Sequence, residues 1–353
     1  MEEDGCYGPG ARHIYTTHTR THTHALITSS QYPYLILVNS IIPALLAGNT
    51  IIMKPSPQTP TVAEQVVKMF AEAGLPDGVL QYFHSGTPST IETIVRDPRI
   101  AHVAFTGSVA GGLAVQKAAA DRLVSTGMEL GGKDPAYVRQ DVDVAWAAEE
   151  VVDGAVFNSG QSCCSIERVY VHASIHDEFV GAVQKVLAGY RLGDPQDKDT
   201  QLGPVVSARS KAAIAAHVKD ALEKGAVDAT PTDNATFELA STSKGNFVKP
   251  TLLTGVDHSM TVMREETFGP VIPVMKVKDD AQAVGLMNDS EFGLTASVWT
   301  KDTARGHELA TQIEAGTVFV NRCDYPSAVS HAQKKKRQRE MERRRDSLVS
   351  ERV

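Results

Sequence analysis

Cysteine is scarce in this chain. Four thiols in 353 residues, Cys6, Cys163, Cys164 and Cys323, two of them adjacent, make neither a disulfide framework nor a metal-spaced set. A small stapled secreted scaffold is excluded, no metal site is expected, and a reducing compartment fits. No apolar run reaches the roughly eighteen residues that a membrane helix needs. The opening MEEDGCYGPGARH has no basic segment followed by an apolar one, so the expectation is a cytoplasmic protein off the membrane. Also missing is the G-x-G-x-x-G turn of ordinary dinucleotide folds. Positive charge is not in excess: the formal net charge is −7, which gives no reason to expect nucleic acid as the main partner. The balance is uneven, because residues 331–353 carry nine Lys/Arg against four Asp/Glu.

What remains is a chain with 42% hydrophobic residues, long enough for two ordinary domains. Residues 1–30, with the run TTHTRTHTHA, have no apolar period and read as a low-complexity arm; His18, His22 and His24 belong to it rather than to a metal site. From Tyr32 the pattern changes. PYLILVNSIIPALLAGN predicts a helix apolar nearly all round, hence buried, ended by Gly48-Asn49, and TIIM predicts a β-branched strand. TPTVAEQVVKMFAEAG predicts an amphipathic helix with Val62, Val66, Val67 and Phe70 on one face and Gly74 as its stop. VLQYF and AHVAF read as strands with a helix between them. Strand and helix alternate, which predicts an α/β fold whose parallel sheet is covered on both faces. MELGGKDPAYV reads as a strand, SIHDEFVGAVQKVLAGY as a helix capped by Ser174, and ASVWT to TVFVN as a second strand-helix-strand set.

Three stretches carry chemistry. In VFNSGQSCCSIER an apolar helix gives out into Gly-Gln-Ser just before Cys163, which leaves a thiol partly exposed beside backbone N–H groups. An isolated cysteine is more often a small core hydrophobe, and Cys164 keeps that reading. Thirty-four residues upstream, Glu129 precedes a Gly-Gly turn in MELGGKDP. FTGSVAGG runs from a strand end into a helix start, where N–H groups and the helix dipole favour phosphate at Gly107 and Ser108. REETFGPVIPV places a charged pair before Phe-Gly-Pro, on its own an ordinary strand-entry turn.

Taken together, Glu129 in its glycine-rich turn, Cys163 in its GQxC context, Arg168 five residues on, Lys54 after its strand and Glu266/Phe268 in EETFGPV closely resemble the motifs of the NAD(P)-dependent aldehyde dehydrogenase superfamily. The resemblance implies a variant Rossmann-type sheet, here incomplete, plus a second α/β catalytic domain. It places a partial dinucleotide-binding domain at 31–129, a catalytic domain at 130–324 and a basic tail at 325–353. It implies that Cys163 attacks the aldehyde, that Glu129 deprotonates the hydrolytic water, and that Gln31, in SQYP where the family has Trp-Asn-x-Pro, holds the place of the oxyanion amide. For NAD or NADP it implies Lys54 and Ser56 at the adenosine ribose, Gly107 and Ser108 at the pyrophosphate, Leu130 and Gly131 lining the cofactor, Glu266 on the nicotinamide ribose and Phe268 beside the ring. Pro57 stands where the family often carries a glutamate that repels a 2′-phosphate, which predicts weak discrimination between the two cofactors.

The likeness starts near Tyr32 and stops soon after VNRCDYPS, so the chain reads as truncated at both ends. The segments through which the family oligomerises are then not expected. Two alternatives follow: a catalytically impaired remnant acting as a scaffold or binding module, and a nuclear or nucleic-acid adaptor working through residues 334–345.

Overall fold

The computed structural model describes residues 22–28 and 31–323, which divide between two compact units that meet in the chain between Glu129 and Leu130. The first contains β1 (Thr23–Ile27), α1 (Pro33–Leu46), β2 (Thr50–Lys54), α2 (Thr61–Glu72), β3 (Leu80–Tyr82), α3 (Pro88–Arg96), β4 (Ile100–Thr106), α4 (Val109–Ala119) and β5 (Ser125–Glu129). All five strands are parallel, in the order β3-β2-β1-β4-β5. The chain steps outward from β1 to β3 and then returns to β4 on the other side of β1. Such a reversal opens a crevice beyond the carboxyl ends of β1 and β4, where doubly wound sheets bind ligands.

Two expectations for this unit are corrected. The His/Thr-rich stretch is not wholly an arm, because its THALI is β1, the central strand, with Ala25, Leu26 and Ile27 buried. Its polar letters hid this: flanked by β2 and β4, His24 is register partner to His102, with ring centroids 5.1 Å apart. His18 and the basic tail lie outside the described residues. Nor is α1 buried all round. Leu37, Ile41 and Ala44 face the sheet, while Tyr34, Leu35, Val38, Ile42 and Leu46 are exposed, Leu46 to 84%. A helix laid on one sheet face buries one stripe only, and among the described residues nothing covers the other. The stop is as expected: Gly48 adopts φ 78 and its N–H closes on Leu45. In α2, Val62, Ala63 and Val66 are buried, Val67 and Phe70 pack beside them, and Gly74 at φ 92 ends the run.

The second unit holds β6 (Asp134–Val138), α5 (Val144–Val156), β7 (Ile166–His172), α6 (His176–Ala188), α7 (Ala208–Glu223), β8 (Val227–Asp228), α8 (Leu239–Thr242), β9 (Thr251–Thr254), α9 (Thr261–Arg264), β10 (Val271–Val277), α10 (Asp280–Asn288), β11 (Thr295–Trp299), α11 (Thr303–Ala310) and β12 (Thr317–Val320). The sheet order is β12-β11-β6-β7-β10-β9-β8, parallel except that β8 runs against β9. Two apolar clusters fill its faces. One gathers Val151, Val152, Phe179 and Val183 from α5 and α6; the other gathers Ile214, Ala283 and Leu309 from α7, α10 and α11. Covered on both sides, the inner strands β6, β7 and β11 bury all but one of their residues, polar ones included.

MELGGKDPAYV, expected as one strand, is two: β5 ends at Glu129, residues 130–133 break the ladder, and β6 starts a different sheet. The Gly-Gly pair supplies the break. Ser174 does not cap α6 either. Its hydroxyl pairs with His172 Nδ1 at 2.8 Å, Ile175 holds the cap position, and Asp177 and Glu178 in the first turn suit the helix dipole instead. No helix among the described residues is long and apolar enough to cross a membrane.

Candidate active site

Cys163 owes its position to a turn built from left-handed residues. After α5, Asn158, Ser159 and Gly160 all have positive φ, at 53°, 58° and 71°. Two non-glycine residues in that region cost free energy and persist only where their surroundings hold them. Here Asn158 Nδ2 donates to the Gln161 carbonyl and Gln161 Nε2 donates to the Asn158 carbonyl, both at 3.0 Å. Gln161 Oε1 accepts from the Val206 N–H at 2.8 Å, and Ser159 Oγ donates to the Gly203 carbonyl at 2.8 Å. A Cβ on Gly160 would overlap the Gly269 backbone, so glycine is required by space as well as by φ. The turn delivers Cys163 and Cys164 half-buried, whereas Cys323 is buried in the core, and none of the three is in a disulfide.

Two further segments of this unit close on the cysteine loop. Gly132 packs on the Cys163 carbonyl so tightly that a Cβ there would overlap it. The Gly132 N–H donates to Glu266 Oε1 at 3.1 Å, and a Cβ on Gly131 would overlap the Glu266 carboxylate. Burial, and then the charge of Glu167, push the Glu266 carboxyl up to about 7. Phe268 follows at φ 51. The expected residues Cys163, Gly131, Glu266 and Phe268 are therefore brought together, with Leu130 leading in.

Beneath them lies a polar cluster that sequence reading did not find. Lys133 and Glu167, 1% and 2% exposed, form an ion pair at 2.5 Å. Lys133 Nζ also donates to Thr267 Oγ1 at 3.1 Å, and Glu167 accepts the N–H groups of Thr267 and Phe268 at 2.7 and 2.9 Å. Burial pulls the Lys133 ammonium below its usual range while Glu167 pulls it back up. His217 Nδ1 lies 3.1 Å from the same Thr267 hydroxyl, and its pKa is lowered by burial and then by Lys133. Arg168, 1% exposed, donates to the carbonyls of Lys133, Leu286 and Met287. Asp134 accepts from Thr295 at 2.5 Å through one oxygen, and burial raises its pKa strongly. A signal existed for part of this: Glu-Arg inside the apolar run IERVYV demands buried partners. Nothing in the sequence singled out His217.

The other expected residues lie in the first unit, at the carboxyl ends of its parallel strands. Lys54 ends β2, is 7% exposed, and has its ammonium pKa lowered by burial. Ser56 is buried, and its Oγ accepts from the Gln58 N–H at 3.2 Å. Ser108 is the N-cap of α4 and accepts from the Gly111 N–H at 3.2 Å. The Gly107 N–H donates to the Glu129 carbonyl at 3.0 Å, and the Glu129 side chain at the end of β5 is exposed. Gly107 and Gly111 also have a packing reason, since a Cβ on either would meet the Phe105 ring, at 2.9 and 2.7 Å. Gln31, beyond β1, is buried. Among the described residues no group of three His, Cys, Asp or Glu side chains could hold a metal.

Comparison with known proteins finds one family over most of the chain. The model of the aldehyde dehydrogenase family matches residues 8–333, so the likeness reaches further at both ends than the motifs indicated. A 4,4'-diapolycopene aldehyde oxidase of Methylomonas sp is 38% identical over 297 residues, covering 84% of this chain and 54% of that protein. A betaine aldehyde dehydrogenase of Brucella ovis is 37% identical, covering 82% of this chain and 59% of that protein. The chain thus spans little more than half the length of these relatives. Among solved structures, an NADP-dependent glyceraldehyde-3-phosphate dehydrogenase from Bacillus halodurans, complexed with NADP, has TM-score 0.80 at 35% identity, covering 87% of this chain and 62% of that one. A Mycobacterium tuberculosis aldehyde dehydrogenase complexed with NAD+ has TM-score 0.79 at 34% identity, covering 86% and 62%.

Proposed function

The chain belongs to the aldehyde dehydrogenase family, and from that premise we propose that it oxidises a small-molecule aldehyde to the carboxylic acid with NAD+ or NADP+. The observation that carries the reading is the Cys163 thiol, half-exposed on a turn held by its own hydrogen bonds, by those to Val206 and Gly203, and by Gly160. The Cys163 sulfur, as thiolate, adds to the aldehyde carbon to give a thiohemiacetal. A bound nicotinamide dinucleotide supplies the hydride acceptor. By the sequence motifs, the thioester left on Cys163 is hydrolysed by water that Glu129 deprotonates, with the backbone N–H of Cys163 and the Gln31 amide assigned as oxyanion donors.

The residues suit a dinucleotide. In the first unit, Lys54 ends β2, Ser56 follows it, and the Ser108 end of α4 follows β4, at the carboxyl edge where such ligands bind. In the second, the Glu266 carboxylate can accept ribose hydroxyls and Phe268 presents an aromatic face.

Turnover of short, medium and aromatic aldehydes with either cofactor, abolished by Cys163→Ser, is the expected result. No turnover with any of them rejects the activity for this chain. A thiol-reactive probe should label Cys163 faster than Cys323. A non-catalytic binding remnant is the second reading, favoured by Gln31 at the oxyanion position; absent turnover together with equally slow labelling of both thiols would select it.

A further inference from the structure

The Lys133–Glu167 pair sits one residue from Gly132 and four from Cys163, and it makes no contact that the reaction itself requires. Its bonds point elsewhere. The Glu167 carboxylate accepts two consecutive backbone N–H groups from a segment one hundred residues away, those of Thr267 and Phe268, at 2.7 and 2.9 Å. Those residues lie directly after Glu266 and include Phe268 at φ 51, a conformation that a bulky residue keeps only when held there. Lys133 supports the same loop through the Thr267 hydroxyl at 3.1 Å, and Arg168, next to Glu167, binds the Lys133 carbonyl at 2.8 Å. Every oxygen of the carboxylate is thus occupied by the loop or by the lysine that neutralises it.

We propose that Glu167, charge-balanced by Lys133, is a positioning residue that sets Glu266 and Phe268 for the nicotinamide half of the dinucleotide. The role rests on the cofactor reading given above. Glu167, 2% exposed and with both carboxylate oxygens engaged by Lys133, Thr267 and Phe268, acts through that loop. Its action is geometric: two charge-assisted bonds to adjacent amides fix the direction of the Glu266 and Phe268 side chains on either side of Thr267. A neutral amide in place of the carboxylate has one acceptor oxygen for two N–H donors and leaves the Lys133 charge unbalanced.

The test is Glu167→Gln, with Lys133→Met/Glu167→Gln as a second variant in case the single one does not fold. Amide hydrogen exchange at Thr267 and Phe268 should quicken by about tenfold or more, the scale of one lost charge-assisted bond, while core amides of β7 and β10 keep their protection. Titration with NAD+ and NADP+ should show affinity weakened about tenfold, with alkylation of Cys163 unchanged. Unchanged exchange at the two amides overturns the proposal, as does acceleration spread evenly through the unit, or local acceleration with affinity intact. If the unsubstituted protein binds neither dinucleotide, the cofactor reading falls, and the tether is then decided by exchange alone: local acceleration upholds it and none refutes it.

Discussion

Gly132 lies so close to the carbonyl oxygen of Cys163 that a Cβ at position 132 would overlap it, and would overlap the Asp134 carboxylate too. The same residue gives its N–H to Glu266. One glycine therefore joins the Cys163 loop to the segment carrying Glu266, and closeness is possible only because no side chain intervenes.

Gly132→Ala should therefore lower stability by about 1–3 kcal/mol, the cost of forcing an atom into a packed site, and should slow alkylation of Cys163. Chemical denaturation and thiol labelling measure both. Wild-type stability in this variant would show that the contact yields without cost.

Glu266 makes stability depend on pH in a stated direction. Burial raises its carboxyl from the usual 4.5 to about 7, so the folded state holds the proton more tightly than the unfolded chain. The contribution is complete below about 4.5 and is lost as pH rises through about 7. Glu266→Gln keeps an acceptor for the Gly132 N–H and removes the titration. The stability of the wild type relative to this variant should fall across that window, and parallel curves from thermal melts would contradict it.

Breaking the buried pair from the lysine side has a different consequence. Lys133→Met leaves the Glu167 charge buried without its counter-ion, which typically costs about 3–5 kcal/mol. Lys133→Met/Glu167→Gln should recover part of that loss, because the uncompensated charge is gone. A double-mutant cycle by urea denaturation reads the coupling; additive losses would mean that the two residues do not act as a pair.

Pro57 bears on the choice of cofactor. It follows Ser56, whose Oγ is engaged by the Gln58 N–H, and lies near buried Lys54, with no carboxylate side chain at that position. The affinities for NAD+ and NADP+ should lie within about tenfold of each other, or 1.4 kcal/mol. Pro57→Glu should shift the ratio toward NAD+ through repulsion of the 2′-phosphate. Calorimetric titration of both cofactors checks it, and an unchanged ratio in the variant would remove Pro57 from the account.

The local elements were legible wherever their own residues carried the pattern. Gly74 and Gly48 end α2 and α1 at positive φ, as helix stops read from sequence should, and the Cys163 turn announced itself by an apolar helix giving out into Gly-Gln-Ser. The strand THALI was not legible, because its identity comes from β2 and β4 on either side rather than from its own letters. The outer face of α1 misled for the converse reason: an apolar surface shows what a helix is able to bury, and only its neighbours decide what it does bury.

The chain's letters alone were enough for the alternating α/β class, for the family, and for Cys163, Glu266 and Phe268 as candidates, since each of these lives in a short contiguous motif. Tertiary structure decided that the Gly-Gly pair divides two sheets rather than bending one strand. It also decided that Glu167 serves amides one hundred residues away, and that Gly131 and Gly132 are glycines because Glu266 and the Cys163 carbonyl need their space. Local sequence encodes dihedral preference and periodicity, which act over a few residues; close packing and buried charge compensation act between segments that the chain order keeps far apart.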